Sequence, residues 1–530
     1  MTDERRSPDQ GDDAAVASAG GGPRRRGGRA RGERSRLPEQ RPWAQPRRAF
    51  LPTELLSADE LEAIHDASLR VLEEIGLDIL DPEARELLRA VGARVEADGA
   101  RVRLDRDLVL ERIATAPPTF TLHARNPAHH LAMGGPAMAF GSVASPPNVF
   151  DLDRGRRVGN RADNQDLLRL VQMLEIVHFV SGYPVEPIDL HPSIRHLDTI
   201  HDVLTLTDKA LHAYSLGRQR NRDAVEMVRI ARGIDDETLE REPSIFTVIN
   251  SSSPLRLDVP MCQGILEFSA RNQVIVMTPF TLAGAMAPVT LAGALVEQNA
   301  EALAGMVLTQ VVRPGAPVVY GGFTSNVDMQ SGAPAFGTPE YMRTAMIGGQ
   351  LARRYGVPYR SSNVSAANPL DAQAAYESVF ALWGAVMGGV NLLMHGAGWM
   401  EGGLHAGFEK VILDAVLLAM VAAFLDPVPV DEASLALDAM REVGPGGHFF
   451  GAAHTQARFR TAFHKPMLSD WRNWEAWQEA GSPQVPEKAN RIWKELLAAY
   501  EPPPMDPAIA EELTAFVERR KAEGGVPTDY

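Results

Sequence analysis

The stretch VPYRSSNVSAANPLDAQAAYESVFALWGAVMGGVNLLMHGAGWMEGGL, residues 357–404, decides the predicted fold of this chain. It opens with a short run that ends in small polar residues, continues through a helix-like segment, and closes with an apolar run that reaches His395 in a glycine-rich turn. This succession predicts a β-α-β unit. Chemistry in such folds is done at the strand exits, so the polar groups after each run are the first site candidates.

Short apolar runs and helical stretches alternate in the same way from about residue 137 onward. The eight runs are Ala137–Ser142, His178–Pro184, Leu211–Leu216, Ile245–Ser251, Val274–Phe280, Pro317–Phe323, Pro358–Asn363 and Asn391–Gly396. Strands that alternate with helices pair in parallel through right-handed crossovers. We therefore predict an α/β fold in which the units close into a TIM (β/α)8 barrel, with a doubly wound open sheet as the alternative.

The barrel is predicted to span residues 136–426, with further regions on either side. Residues 47–135 contain capped segments with a 3.6-residue apolar period and predict an N-terminal helical cap. Residues 427–530 leave the alternation, and their tryptophans on helical stretches predict a C-terminal helical extension packed on the barrel. Residues 1–46 are rich in Arg and Gly and predict a disordered tail, with contact to RNA or anionic lipid as the alternative.

Composition excludes several classes of protein. The net charge is −15, so the acidic body argues against a nucleic-acid-binding main domain. A single cysteine, Cys262, excludes an intrachain disulfide framework and a multi-thiolate metal site, and we expect a cytoplasmic protein. The longest apolar stretch, Val411 to Leu425, carries Asp414 and is too short to span a bilayer, so we expect no membrane association.

Several familiar motifs are missing from the sequence. It contains no P-loop and no G-x-S-x-G, and the GPGG at 444–447 lacks the strand-turn-helix context of a dinucleotide loop. His448, His454 and His464 are spaced too loosely for a zinc site, and we expect no metal. The predicted strand exits instead carry hydroxyls, amides and aromatic rings with few charges. Such a lining suits a cation held by ring faces and amide dipoles.

Three longer motifs carry a family likeness: DAQAAYES (371–378), HGAGWMEGGL (395–404) and GPGGHFFGAAHT (444–455). With them, the chain from about Arg48 to about residue 500 resembles the trimethylamine methyltransferase family, which comprises corrinoid-dependent methylamine methyltransferases and their relatives lacking pyrrolysine. The resemblance implies a barrel that moves a methyl group from a methylated amine to the cobalt of a corrinoid. That corrinoid is carried by a cognate partner protein, so no cofactor is expected to bind tightly here.

One position departs from the trimethylamine enzymes of the family. Their pyrrolysine precedes the stretch that matches DAQAAYES by a few residues, and here that stretch follows SAANPL, which places Asn368 at the pyrrolysine position. Asparagine has no electrophilic imine with which to form an adduct with an amine. Activation of trimethylamine by that route is therefore not available to this chain.

Physical chemistry then narrows the substrate. A methyl group leaves as an electrophile when its nitrogen departs neutral, and a quaternary ammonium meets that condition without protonation. The protein must desolvate the cation, cage it with rings and aim one methyl at the metal. The cage candidates are Tyr183, Tyr214, Phe280, Phe323 and Trp399, with core packing as the alternative for each.

The resemblance implies glycine betaine or a similar betaine as substrate. Its carboxylate would be bound by Arg360, by His395 or by the serine run that begins at Ser251. His395 would orient substrate or approach the corrinoid, with a core histidine as the alternative, and Glu401 would hydrogen-bond within the same turn. The residues expected to meet the corrinoid or its carrier are His448, Gly446 and Gly447.

Alternatives remain open at this point. They are a trimethylamine-type tertiary amine methyltransferase, a barrel that binds betaines without turning them over, and a metal-dependent lyase with His395 and Glu401 as ligands. We expect a homo-oligomer.

Overall fold

The structure is a computed structural model, and it describes residues 37–97 and 99–527. The disordered tail predicted for residues 1–46 therefore lies mostly outside the described residues. Residues 37–46 differ from that prediction because they run along the barrel. Trp43 packs 5.0 Å from His129 and 5.7 Å from His178, and the carbonyl of Ala44 accepts a hydrogen bond from His178 Nε2 at 3.1 Å.

Parallel strands close into an eight-stranded barrel, which confirms the predicted fold class. The strands are β1 (Ala139–Ser142), β2 (Phe179–Val180), β3 (Ala210–His212), β4 (Ile245–Ile249), β5 (Val274–Met277), β6 (Val318–Gly321), β7 (Tyr359–Ser362) and β8 (Leu392–Ala397). Each pairs with its neighbour along the chain, and β8 pairs with β1. This last pairing excludes the open sheet. Most predicted runs extend beyond the strands because the polar residues that follow belong to loops.

One long helix follows each strand. These helices are α1 (Arg161–Met173), α2 (Arg195–Leu206), α3 (Arg218–Arg232), α4 (Val259–Ala270), α5 (Leu291–Val312), α6 (Pro339–Tyr355), α7 (Ala372–Gly388) and α8 (Phe408–Leu425), with a short helix, Asp236–Arg241, between α3 and β4. Side chains that accept a backbone N–H begin many of them, such as Asn160 before α1, Thr338 before α6 and Asp371 before α7. No described helix is long and apolar enough to cross a membrane.

A β-hairpin closes the end of the barrel where the strands begin. Its strands, Phe120–Leu122 and Leu131–Met133, place Leu122, Leu131 and Met133 in one buried cluster with the first inward-facing residues of the barrel strands. Small sheets lie at the opposite end, in the loops that follow the strands. One contains Asn148–Asp151, Gly155–Val158, Trp399–Met400 and His405–Gly407, and the other contains Leu282–Ala283, Ser325–Val327 and Pro334–Ala335. The plugged end leaves only the strand-exit end open for a ligand.

The N-terminal cap is mixed rather than helical. Its helices are Ala58–Arg70, which continues through a π-helical turn (Val71–Ile75), Pro82–Ala90 and Arg106–Ile113. Between them, Leu77–Ile79, Arg94–Val95 and Arg101–Arg103 form a four-stranded sheet with Arg256–Leu257, which follows β4. The sequence analysis missed these strands because they are two or three residues long, too short to show a period of two.

The C-terminal region divides into two parts. Helices Val485–Ala498 and Pro507–Ala522 pack on the barrel, where Trp493 lies 4.9 Å from Phe408 and donates to Glu409 Oε1 at 3.0 Å. Residues 427–483, here called the arm, form short helices: Glu432–Leu435, Leu437–Val443, Ala453–Arg458 and Trp474–Glu479. The arm packs on the barrel in part: Leu468 is buried in the main core cluster, whereas Trp471 and Trp474 are 72% and 64% exposed.

Candidate active site

A cavity of about 440 Å³ opens at the strand-exit end of the barrel. All eight strands contribute to it through residues at or just beyond their ends, among them Ser145, Ser181, Tyr214, Asn250, Thr278, Phe323, Arg360 and His395. A volume of this size admits a small organic molecule. The cavity is therefore the candidate active site, in the position that barrel enzymes use.

Aromatic rings form one continuous wall of the cavity. The ring centre of Phe323 lies 5.3 Å from that of Phe280, 5.5 Å from Phe336 and 6.0 Å from Trp399. Phe336 and Trp399 are themselves 5.2 Å apart. Sequence analysis identified all of these except Phe336, which follows the short strand Pro334–Ala335 in the loop between β6 and α6 and so gave no strand-exit signal. Ring faces so arranged suit a desolvated cation.

Arg360, the second residue of β7, is the one Asp, Glu, Lys or Arg side chain among the described residues that lines the cavity. It is 2% exposed, its Nη1 donates to the carbonyl of Gly322 at 3.2 Å, and its guanidinium carbon lies 5.3 Å from the Phe323 ring centre. Burial lowers its pKa to about 10, so it stays charged at neutral pH. Among the described residues it makes no ion pair with a carboxylate. A buried charge without a counter-ion is costly, so this site favours a ligand that carries an anion.

His395 reaches the cavity through an irregularity in β8. The pairing of β8 with β1 shifts register between Leu393 and Ala397, and His395 adopts a φ of +55°, which is rare for a residue with a side chain. Its ring stacks on Trp399 at 5.6 Å, and its Nδ1 lies 3.1 Å from Ser362 Oγ. Burial, helped by Arg360, holds its pKa well below the usual value. The imidazole is therefore a neutral hydrogen-bonding group aimed by a bulge.

A buried network on α8 holds the turn that follows His395. Asp414 accepts the backbone N–H of Gly398 at 2.8 Å, and Lys410 Nζ donates to the same carboxylate at 2.5 Å and to Ser378 Oγ at 2.8 Å. From β7, Asn363 Nδ2 donates to the carbonyl of Gly396 at 3.0 Å. The sequence analysis used Asp414 only to argue against a membrane span. Its role was not visible because its partner is a backbone N–H.

His212 is a second histidine of the cavity wall, and the sequence analysis missed it. Its Nδ1 donates to the carbonyl of Ser181 at 2.9 Å, and its Nε2 accepts the N–H of Val248 at 3.1 Å, so the ring bridges β4 to the residue after β2. Burial lowers its pKa to about 3. A buried histidine with both nitrogens occupied is a structural part of the wall.

Glu401 buttresses the cavity rather than lining it. Its carboxylate accepts from Arg156 Nε at 2.8 Å and pairs with His405 Nδ1 at 2.9 Å, while Gly402 and Gly403 beside it line the cavity. The carboxylate thus already has partners, which leaves the lyase alternative without a second ligand beside His395. Across the described ranges, no three His, Cys, Asp or Glu side chains are grouped as a metal site would require.

Three other candidates from the sequence do not line this cavity. The hydroxyl of Ser251 bonds to the buried carboxylate of Glu301, and Asn368 is exposed in the loop between β7 and α7. The ring centre of Tyr183 lies 4.4 Å from that of Tyr214, and Tyr183 lines a neighbouring cavity of about 200 Å³. The two cavities share Tyr214 as part of their common wall. All three residues lie in loops that follow barrel strands, and their side chains point away from this cavity.

The residues proposed to meet the corrinoid lie on the arm. His448, Gly446 and Gly447 are exposed, and none lines the cavity. The arm leaves the barrel after α8, where Asp426 pairs with Arg41 at 2.8 Å at the plugged end. The arm therefore leaves the barrel at the end opposite to the cavity.

The known proteins to which this chain is similar are methyltransferases. The family model described as trimethylamine methyltransferase (MTTB) matches residues 24–525. The chain is 34% identical over 472 residues to the glycine betaine methyltransferase of Desulfitobacterium hafniense strain Y51, which covers 89% of this chain and 98% of that protein. It is 30% identical over 473 residues to the trimethylamine methyltransferase MttB of D. hafniense strain DSM 10664 / DCB-2, with coverages of 89% and 94%. The solved structure of the Methanosarcina barkeri monomethylamine methyltransferase MtmB aligns with a TM-score of 0.45 and 11% identity over 86% of this chain and 92% of that one.

Proposed function

The chain belongs to the trimethylamine methyltransferase family and is a methyltransferase, and from this premise we propose that its methyl donor is a betaine and its methyl acceptor the Co(I) of a corrinoid on a separate protein. A betaine carries a quaternary ammonium and a carboxylate in one small molecule. Glycine betaine is the first candidate, because the relative that is 34% identical over most of the chain is a glycine betaine methyltransferase.

The charge of the cavity carries this proposal. Its lining contains Arg360 and no carboxylate, so a ligand that is only a cation would meet a buried positive charge with nothing to balance it. A betaine brings its own anion. Its carboxylate would pair with the guanidinium of Arg360. Its trimethylammonium group would lie against the aromatic rings, and each cation–π contact would contribute about 0.5–2 kcal/mol. Choline and trimethylammonium lack that anion, so the same lining disfavours them.

The proposed reaction is a displacement at the methyl carbon. The electron pair of Co(I) forms the Co–C bond while the C–N bond breaks, and the nitrogen keeps the bonding pair and leaves as a neutral tertiary amine. No proton moves in this step. A neutral His395 and a lining without a carboxylic acid are consistent with such a reaction. The rings around Phe323 would strip water from the cation and fix the direction of one methyl group.

The same reaction scheme accounts for the location of Asn368 and indicates where the corrinoid protein binds. An exposed Asn368 outside the cavity agrees with a route that forms no side-chain adduct. The cobalt must approach from the open, strand-exit end, because the hairpin that contains Leu122 and Leu131 plugs the other end. We therefore expect the carrier protein to sit over that opening.

The test is methyl transfer to free cobalamin reduced to Co(I). Purified protein is mixed with glycine betaine, and the absorbance change of methylcobalamin formation is followed, with choline and trimethylamine as matched donors. We expect methylcobalamin only with the betaine. Turnover of trimethylamine but not of betaines would overturn the proposal. Betaine binding by calorimetry without any methyl transfer would instead favour a binding protein.

A further inference from the structure

Two hydrogen-bond donors in the cavity wall have no acceptor among the described residues. They are the hydroxyl of Thr278 and the Nε of Arg360. Both side chains line the cavity, and they are 1% and 2% exposed. Buried polar atoms in folded proteins are nearly always hydrogen-bonded, so two such donors in one cavity wall need an explanation.

The pairing of the barrel strands brings these two donors to the same level. Met277, the last residue of β5, pairs with Tyr320 on β6. The next residues, Thr278 and Gly321, are therefore level with each other, and Gly321 pairs in turn with Arg360 on β7. Side chains that are level on neighbouring strands project from the same face of the sheet. Thr278 and Arg360 thus project into the barrel on either side of a glycine.

The absence of a side chain at Gly321 brings the donors together. A Cβ at this position would lie 3.0 Å from Thr278 Oγ1 and 3.1 Å from Arg360 Cδ. The arginine side chain therefore lies across β6, where a larger residue would stand, and its Nη1 reaches the carbonyl of Gly322 at 3.2 Å. Because Nε is bonded to Cδ, its N–H and the hydroxyl of Thr278 belong to one small patch of the wall.

This pair of donors matches a carboxylate. A carboxylate has two acceptor oxygens and bonds strongly to a guanidinium, so one oxygen is available for each donor. No Asp or Glu side chain from the described part of the chain lines the cavity, so the protein does not supply this acceptor itself. The guanidinium carbon of Arg360 lies 5.3 Å from the ring centre of Phe323, which places the anion site beside the aromatic wall.

The hydroxyl of Ser181 is the other candidate for this role. It lines the cavity and also makes no hydrogen bond among the described residues. However, Ser181 follows β2, which lies opposite β6 in the ring of eight strands. It is therefore on the far side of the barrel from Arg360, and the two side chains do not share one carboxylate.

We propose that Thr278 binds the betaine carboxylate together with Arg360, and that Gly321 is the positioning residue that lets the arginine lie beside the hydroxyl. This inference rests on the proposed function, to which it adds a second donor and the reason for a glycine at the end of β6. The hydroxyl bonds to one carboxylate oxygen and the guanidinium to the other. A methyl donor without an anion gains nothing from Thr278.

The first test is Thr278→Val, which replaces the hydroxyl by a methyl group of similar size. We expect KM for glycine betaine to rise about tenfold or more, because a hydrogen bond to a charged group is lost. The carboxylate takes no part in the displacement, so kcat should change little. KM for tetramethylammonium, which has no carboxylate, should stay at its wild-type value. Thr278→Ser keeps the hydroxyl and should behave like the wild type with both donors.

Thr247 on β4 provides the matched control. Its hydroxyl is also buried and without a partner among the described residues, but it does not line the cavity. Thr247→Val should therefore keep the wild-type KM for both donors. Each valine removes a buried hydroxyl that makes no hydrogen bond, so neither should lower the midpoint of urea unfolding. Thr278→Ala removes the same hydroxyl and is the second variant if Thr278→Val does not fold.

Gly321→Ala tests the positioning role. The added Cβ should displace Arg360 from its place across β6, and KM for glycine betaine should rise while kcat is kept. All variants are compared by methylcobalamin formation, and calorimetry measures betaine binding separately from turnover.

Three results would overturn this inference and leave the proposed function standing. They are an unchanged KM for glycine betaine in Thr278→Val, an equal rise in KM for tetramethylammonium, and the same loss in Thr247→Val. A wild-type protein that neither binds nor demethylates glycine betaine would overturn the proposed function, and this inference with it.

Discussion

Lys209 and Arg360 are buried cations at opposite ends of one barrel, and their surroundings differ. Lys209 precedes β3 at the plugged end, and its Nζ donates to the carbonyls of Val171, Leu174 and Val177 at 2.6, 2.9 and 2.6 Å. Arg360, at the open end, has the one carbonyl acceptor described above and faces a cavity. Burial lowers both pKa values, to about 8 and about 10. A buried charge with all its bonds made supports the fold, whereas one left partly unbonded is available to a ligand.

The largest effect is expected from Arg360→Gln. Losing one partner of a buried, hydrogen-bonded charge pair costs about 2–5 kcal/mol, so kcat/KM for glycine betaine should fall about thirtyfold or more. Methylcobalamin formation measures this. Tetramethylammonium, which has no carboxylate, is the matched donor and should react faster with the variant than with the wild type, because the buried positive charge that disfavours it is gone. Loss of the betaine reaction without that gain would mean that Arg360 supports the structure, as Lys209 does.

Lys209→Met tests whether the fully hydrogen-bonded cation at the plugged end serves stability rather than activity. Methionine fills a similar volume but removes the ammonium donor from three buried carbonyls, and the free energy of unfolding should fall by about 3 kcal/mol. Urea unfolding followed by circular dichroism measures it. The variant should retain the wild-type kcat below its unfolding midpoint. A stable but inactive variant would show that the two ends are not separate in function.

Two buried histidines extend the comparison, because the pKa is lowered both in His178 at the plugged end and in His212 in the cavity wall. Burial lowers the pKa of His178 and of His212 to about 3 from 6.5. Between pH 3 and 6.5 each of these imidazoles binds a proton in the unfolded chain but not in the folded chain, so the free energy of unfolding falls as the pH falls. Each histidine contributes about 1.4 kcal/mol per pH unit in that window.

His212→Gln should therefore reduce the pH dependence of stability by about 1.4 kcal/mol per unit between pH 4 and 6. Denaturant unfolding at several pH values measures the slope, and His178→Gln is the matched variant at the plugged end. An unchanged slope in either variant would mean that the histidine is protonated in the folded protein.

The smallest effect is expected from Phe280→Leu. This change keeps the cavity apolar but removes one ring face, and a cation–π contact of about 1 kcal/mol corresponds to a rise of about fivefold in KM for glycine betaine. Steady-state kinetics measures it, with kcat expected to change little. A fall in kcat at constant KM would show instead that Phe280 acts on the transition state.

The repeating strands of the barrel could be predicted from the sequence. The side chains whose roles depend on tertiary contacts could not. All eight barrel strands were predicted, because each is a compact apolar run followed by a helix. His395 and most of the aromatic wall were identified because they stand at strand exits, and Arg360 because a betaine carboxylate needs a cationic partner. Phe336 was missed because it comes from an irregular loop, and Asp414 because its partner is a backbone N–H. The position of Ser251 after a strand did not predict where its side chain lies. Its hydroxyl donates a hydrogen bond to Glu301, a carboxylate 50 residues away along the chain.

The bulge that presents His395 is held by Asp414 and Asn363, which lie behind it and do not line the cavity. The shape of this part of the pocket is thus set by hydrogen bonds within the protein itself. A substrate entering it gives up its own freedom but does not have to order the backbone around it. In a preorganised pocket of this kind, selectivity comes from the fixed shape of the binding site. A molecule of the wrong shape or charge binds weakly, because the pocket does not rearrange around it.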